Sequence, residues 1–162
     1  MSTHTLSVLV ENKPGVLSHV AGLFSRRAFN ISSLAVGPTH DERVSRITIV
    51  VDGATTPVEQ VKTQLDKLVR VLKVVELHDG SAVERELALI KVAGTGDIRV
   101  EALRVAELFR AKVVDTTTKS FVFELTGTPE KLDSFIALMR ELGLVEVGRT
   151  GIVGMIRGPV EA

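Results

Sequence analysis

The sequence predicts an α+β protein built from two βαββαβ units in tandem. Three observations carry that prediction. Short apolar stretches that alternate with period two are separated by stretches whose apolar residues recur at helical spacing, so strands and helices follow one another along the chain. The order strand, helix, strand, strand, helix, strand runs once through residues 6–77 and is repeated through 85–158. The chain has 162 residues, a length that suits one medium domain or two small ones of about 80 residues each.

In the first half, Leu6, Val8 and Val10 alternate with Ser7, Leu9 and Glu11 and predict a strand. The Pro14-Gly15 turn follows, and then Leu17, Val20, Ala21, Phe24 and Ala28 at helical spacing. "NISSLAV" (30–36) reads as the second strand, "HDER" (40–43) as a polar turn, and "VSRITIVVD" (44–52) as the third strand, with Ile47, Ile49 and Val51 on one face. The second helix begins at "TTPVEQV" (55–61). There Thr56 is expected to cap, Pro57 to fill the first helical position and Glu59 to close a capping box. Val58, Val61, Leu65 and Leu68 form its apolar stripe, and "VLKVVEL" (71–77) is the fourth strand.

The second half repeats this plan. "RELALIKV" (85–92) is a strand and "AGTGD" (93–97) a glycine-rich turn. Ile98, Ala102, Val105 and Phe109 line one face of a helix, and "KVVDTT" (112–117) with "KSFVFELTG" (119–127) reads as a hairpin. Thr128-Pro129 starts the last helix, with Leu132, Phe135 and Met139 inward, and "LVEVGRTGIVGMIRG" (144–158) returns as strand and tail. Ala21-Gly22-Leu23-Phe24 and Ala106-Glu107-Leu108-Phe109 sit at matching places in the two halves. The expected units are ferredoxin-like, residues 1–79 and 80–162, joined near 78–83.

Composition narrows the function. Twenty Lys and Arg balance twenty Asp and Glu, which gives no general attraction to nucleic acid or to an anionic membrane. There are no cysteines, so disulfides, thiol nucleophiles and thiolate metal sites are excluded. No apolar run approaches the roughly 18 residues of a membrane span, and "MSTHTLSVLV" lacks the features of a signal peptide, so a cytoplasmic location is expected. A βαββαβ unit can also bind RNA by stacking bases on aromatic residues of its central strands. The corresponding strands here, "LSVLV" and "VSRITIVV", contain no aromatic residue.

No catalytic constellation emerges. His4, His19, His40 and His78 fall in no metal-site spacing, although the turn His40-Asp41-Glu42 stays open as a surface ion site. His19 is expected on the polar side of the first helix. "GTG" (94–96) falls short of a dinucleotide fingerprint, and neither a Gly-x-Ser-x-Gly elbow nor a phosphate loop is present.

The exception is "ENKPGVL" (11–17), where a strand gives way to a helix through a very short turn. Gly15 permits close approach to the backbone, and the first amides of a helix have no internal partner and attract a carboxylate. Asn12 can bond a ligand carboxylate or ammonium, Pro14 stiffens the turn, and Val16 and Leu17 offer apolar walls. The pattern suits a small apolar amino acid. It suits a purely structural turn as well.

The stretch "LSVLVENKPGVLSHVAGLFSRRAFNISSLAVGPTHDERVSRITIVVDG", continued by "TQLDKLVRVLKVVEL" (63–77), "ERELALIKV" (84–92) and "RTGIVGMIRG" (149–158), resembles the small regulatory subunit of acetohydroxyacid synthase, also called acetolactate synthase. The resemblance spans nearly the whole chain. It implies that the first unit is an ACT domain, a βαββαβ module that senses amino acids. It also implies a subunit with no active site and no cofactor of its own. A separate large subunit would hold thiamine diphosphate, magnesium and FAD and join two 2-keto acids at the head of valine, leucine and isoleucine synthesis. The small subunit would activate that partner and confer feedback inhibition by valine. In the family, two ACT domains pair side by side with effector sites at their interface. The residues that match are Asn12, Lys13, Pro14, Gly15, Val16 and Leu17 from one chain and Asn30 and Ile31 from its neighbour. Two other readings stay open, a free-standing amino-acid sensor with another target and a small enzyme on the same scaffold.

Overall fold

The computed structural model describes residues 3–54 and 56–159. In the N-terminal half the elements are β1 (Thr3–Glu11), α1 (Val16–Arg26), β2 (Ile31–Pro38), β3 (Val44–Asp52), α2 (Val58–Asp66) and β4 (Val71–Leu77). They form an antiparallel sheet of order β2-β3-β1-β4, the arrangement of a ferredoxin-like unit. Alternation decides which side chains go inside. Leu6, Val8 and Val10 of β1 and Ile47, Ile49 and Val51 of β3 meet Val16, Val20, Leu23 and Phe24 of α1 and Val61 and Leu65 of α2 in one core. The edge ring of Phe29 stands against Phe24 with centroids 6.0 Å apart.

Two local expectations are corrected. The inward stripe of α1 is Val16, Val20, Leu23 and Phe24, whereas Leu17, Ala21 and Ala28 are exposed. Period 3.6 fixes a spacing but not its phase, and α1 starts with Val16 already facing the sheet. Helix α2 has no side-chain cap, and Pro57 is its N-cap rather than its first residue. The buried Thr56 hydroxyl instead accepts from the Asn30 amide at 3.4 Å, and Glu59 pairs with Lys62. The capping signal was real as chemistry, but tertiary structure uses the hydroxyl to hold the start of β2.

The C-terminal half contains β5 (Ala82–Ala93), α3 (Gly96–Phe109), β6 (Lys112–Thr116), β7 (Ser120–Gly127), α4 (Pro129–Arg140), β8 (Leu144–Arg149) and a short tail strand, β9 (Val153–Ile156). The strand order β6-β7-β5-β8 repeats that of the first sheet. Its core joins Ala88, Ile90 and Val92, Ala102, Val105 and Ala106, Phe121, Phe123 and Leu125, and Leu132, Phe135, Ile136 and Met139. Phe135 makes edge contacts with both Phe123 and Phe109, with centroids 6.0 and 5.2 Å away. Here the Thr-Pro signal works as expected, with the Thr128 hydroxyl accepting from the Lys131 amide at 3.3 Å and Pro129 in the first turn. Ile98, expected inward, is half exposed because the stripe of α3 begins at Ala102.

The chain falls into two compact units, one running to Glu84 and including the segment from Ile152, the other Arg85–Gly151. The sequence division after Asp79 and this geometric division differ by five residues (79 against 84), and the tail from Ile152 is counted with the first unit. β9 pairs with β5.

Candidate functional site

The turn Asn12–Gly15 is held at both flanks. The Asn12 amide donates to the Arg43 carbonyl at 2.8 Å, and its side-chain Nδ2 donates to the Glu42 carbonyl at 2.9 Å. Arg70 bonds the Glu11 carboxylate at 2.7 Å, and the Arg70 carbonyl accepts from the Glu11 amide at 2.9 Å. The hydrogen bond from Arg70, reinforced by the Lys13 ammonium 3.7 Å away, holds the Glu11 carboxyl below the usual glutamate range. The β1–α1 turn is thereby fastened to the β2–β3 turn on one side and to the start of β4 on the other.

Gly15 is the N-cap of α1, with φ +85° and ψ −8°. Left-handed backbone at an N-cap explains a glycine at this position. No side chain caps the helix, and its first internal bond runs from the His19 amide to the Gly15 carbonyl. The Val16 amide donates to the Lys13 carbonyl at 3.4 Å, which leaves the amides of Leu17 and Ser18 at the open end of the helix, where the helix dipole favours negative charge. Nothing lies within 4 Å of where a Gly15 Cβ would be, so the space above the turn is open.

The predicted residues divide into three groups. Asn12, Lys13, Pro14, Gly15 and Leu17 are exposed and lie together at the turn, with Leu17 43% exposed as an apolar wall. Val16 is not a wall, because it is buried in the core beneath α1. Asn30 and Ile31 lie elsewhere. Asn30 precedes β2 and is tied to the far end of β3, its carbonyl accepting from Asp52. Asp52 in turn pairs with Thr3 at the beginning of β1, whereas Asn12 follows the end of β1. Nine strand residues separate the two ends, roughly 27 Å at about 3 Å per residue. Within one chain, Asn12 and Asn30 do not share a site.

The fixed orientation of Asn12 refines its chemistry. One Nδ2 hydrogen is engaged by the Glu42 carbonyl, which orients the side chain and leaves Oδ1, an acceptor suited to an ammonium, and the second Nδ2 hydrogen for further bonds. The helix amides suit the carboxylate. Glu42 and Arg70, which position the turn, were not singled out from sequence, since they lie 30 and 59 residues from their partners and carry no local signal. In the neighbouring turn, Asp41 is taken up by Arg43 through its amide, Nε and Nη2, and the bond to the Arg43 guanidinium keeps its carboxyl below the ordinary aspartate range. His4 and His78 both approach Glu76, at 2.9 and 3.8 Å. Among the described residues no group of three or more His, Asp or Glu is arranged to hold a metal ion, and no helix is long and apolar enough to cross a membrane.

Comparison with known proteins places this geometry in a family. Residues 6–73 match the model of the AHAS small subunit-like ACT domain, and residues 85–158 match that of the small subunit of acetolactate synthase. The acetolactate synthase small subunit of Mycolicibacterium smegmatis is 52% identical over 157 residues, covering 97% of this chain and 92% of that protein. A probable acetolactate synthase small subunit of Archaeoglobus fulgidus is also 52% identical, over 96% of this chain and 97% of its own. The crystal structure of the acetolactate synthase small subunit from Thermotoga maritima superposes with a TM-score of 0.89 at 42% identity, over 99% of this chain and 100% of that one. Two family models in tandem, relatives matched over more than nine-tenths of both chains and one shared fold all agree, and the chain belongs to the acetolactate synthase small-subunit family, with an ACT domain as its N-terminal part.

Proposed function

We infer that this chain is the non-catalytic, cytoplasmic regulatory subunit of a thiamine diphosphate-dependent acetolactate synthase. It activates a separate large subunit, which carries the thiamine diphosphate, magnesium and FAD. It confers feedback inhibition by valine, or another branched-chain amino acid, bound between two ACT domains of a homodimer. Residues 1–79 are the sensing part and 80–162 the part that completes regulation.

The observation that carries this reading is the state of β2. It is an edge strand whose helix-side residues Leu34 and Val36 are 36% and 48% exposed. An edge with apolar side chains is a template for pairing. Antiparallel pairing of β2 with its copy across a two-fold axis sets the start of one strand beside the end of the other. Asn30 and Ile31 stand at the start. Pro38, at the end, pairs with Ser45 beside the Arg43 carbonyl that holds Asn12. Such a dimer closes the gap of about 27 Å that separates the two half-sites within one chain. Each of its two sites then draws Asn12–Leu17 from one protomer and Asn30-Ile31 from its partner. The helix amides receive the carboxylate of the amino acid, Asn12 Oδ1 its ammonium, and Leu17 its aliphatic side chain.

The test mixes the chain with the large subunit of its own organism. Acetolactate formation is expected to rise on mixing and to fall as valine is added. No activation, or activation that valine leaves unchanged, overturns the corresponding half of the reading. Co-purification with a thiamine enzyme separates it from a free-standing sensor.

A further inference from the structure

Strand β2 is attached to more than its own sheet. The tail residues Thr150–Arg157 make two sets of bonds, one in each compact unit. In the second unit, Thr150 exchanges bonds with Leu87, its amide donating to the Leu87 carbonyl at 3.0 Å and its hydroxyl accepting from the Leu87 amide at 3.1 Å. The next amide, Gly151, donates to the Glu86 carboxylate at 3.1 Å. At Gly151 the backbone turns through φ +85°, and from Ile152 onward the chain is part of the first unit. There the Ile152 amide donates to the Ser33 hydroxyl at 3.3 Å and the Arg157 amide to the Ser81 carbonyl at 2.9 Å. Gly154 is packed so closely that an added Cβ would come within 2.7 Å of Leu77 Cδ1.

Ser33 lies at a special place on β2. The ladder to β3 changes register between Ile31, opposite Val51, and Ser33, opposite Val50, so the start of the strand is bulged. A bulge marks the place where a strand bends and its side chains are re-aimed. A cavity of about 340 Å³, lined by Ala35, Pro38, His40 and Thr48 with Val153 and Met155 of β9, is bordered by both strands.

We propose that the tail reads the effector site. In this arrangement, an amino acid held by Asn30 and Ile31 shifts the bulged start of β2. Ser33, two residues beyond Ile31, passes the shift through its bond to Ile152. Gly151 then conveys it to Thr150 and Glu86, which belong to the unit that completes regulation. The idea rests on the effector site proposed above and adds its readout. Binding and response become separable, because the coupling free energy resides in the seam between β2 and the tail rather than in the ligand contacts.

The experiment uses the intact chain with its large subunit and compares wild type, Ser33→Ala and Ser33→Thr. Calorimetry with valine on each small subunit is expected to give dissociation constants within about twofold of one another. Activation is expected to be equal in all three. The valine concentration for half inhibition is expected to rise about fivefold or more in Ser33→Ala and to return toward wild type in Ser33→Thr, which keeps the hydroxyl. In wild type, valine is expected to change amide exchange over residues 150–157. Unchanged inhibition of Ser33→Ala, or exchange in that segment indifferent to valine, overturns the proposal. Wild-type chain that binds no valine at all is the different failure of the effector site, and the readout falls with it.

Discussion

At the scale of residues, the two best-defined chemical features are Gly15 and the Glu86–Arg149 pair. A Cβ on Gly15 would meet nothing within 4 Å, so a substitution there is resisted by the positive φ and not by crowding. Gly15→Ala is expected to cost about 1 kcal/mol of stability, measured by denaturant unfolding. Gly15→Asp has the same backbone cost but sets a carboxylate among the amides that would hold that of the ligand. It is expected to abolish valine binding in calorimetry while activation of the large subunit persists, and normal binding would remove the turn from the effector site. Glu86 is 6% exposed and accepts two bonds from Arg149, at 3.1 and 2.7 Å, and one from the Gly151 amide. The bonds that Arg149 donates to Glu86, and then to Asp133 at 2.7 Å, raise its affinity for its proton. Arg149→Ala leaves a buried carboxylate with one backbone donor and is expected to destabilise the chain by about 2–3 kcal/mol, somewhat below the full range for breaking a buried pair because Arg149 is partly exposed. A double variant with Glu86→Leu as well is expected to recover part of that loss, since no unpaired charge remains.

At the scale of elements, much was legible because strand alternation is a strong local signal. Alternation places β3 at 44–52 and β4 at 71–77, and both strands have those limits in the structure. Helix phase was less legible, as Leu17 and Ile98 show, because neighbouring apolar residues fit more than one inward stripe. The two Thr-Pro starts show the same limit from another side. Thr128 caps its helix while Thr56 is diverted to Asn30, and nothing local distinguishes them. The tetrapeptides Ala21–Phe24 and Ala106–Phe109 occupy matching places in the sequence, yet Leu23 is buried and Leu108 is 68% exposed. The turn residues of the candidate site were legible, but their separation from Asn30 within one chain required the sheet order. That separation makes β2 the decisive element. Val36 is half exposed, so Val36→Lys should leave the fold intact while burying a charge in a β2–β2 pair. Sedimentation is expected to show a dimer weakened at least about tenfold, with valine binding lost in parallel. A dimer of wild-type strength would rule out pairing through this edge.

At the scale of the whole molecule, the question is which parts regulation needs. A chain ending after Asp79 retains Asn12–Leu17, Asn30, Ile31 and all four strands of the first sheet. It lacks the partners that the tail gives Ser33 and Leu77 through Ile152 and Gly154. A chain ending after Thr150 is more informative. It keeps the sheet β6-β7-β5-β8 and the bonds between Thr150 and Leu87, and it lacks only the segment from Gly151 onward. Loss of the Gly151 amide removes one of the three bonds to Glu86, and loss of the rest of the tail removes the buried Ile152 side chain and the pairing of β9 with β5, so a fall in stability of about 3–4 kcal/mol is expected. The regulatory consequences should be unequal. If the tail carries the response, this chain binds valine and activates the large subunit, but its inhibition curve is displaced to much higher valine or flattened, as in Ser33→Ala. The shorter chain should lose the response too, together with part of the activation, since it also lacks the second unit. Inhibition curves of both truncations beside the intact chain, at saturating subunit, separate the contributions. A chain ending at Thr150 with undiminished valine sensitivity would assign the response to the second unit alone and leave β9 a structural cover for the ACT sheet.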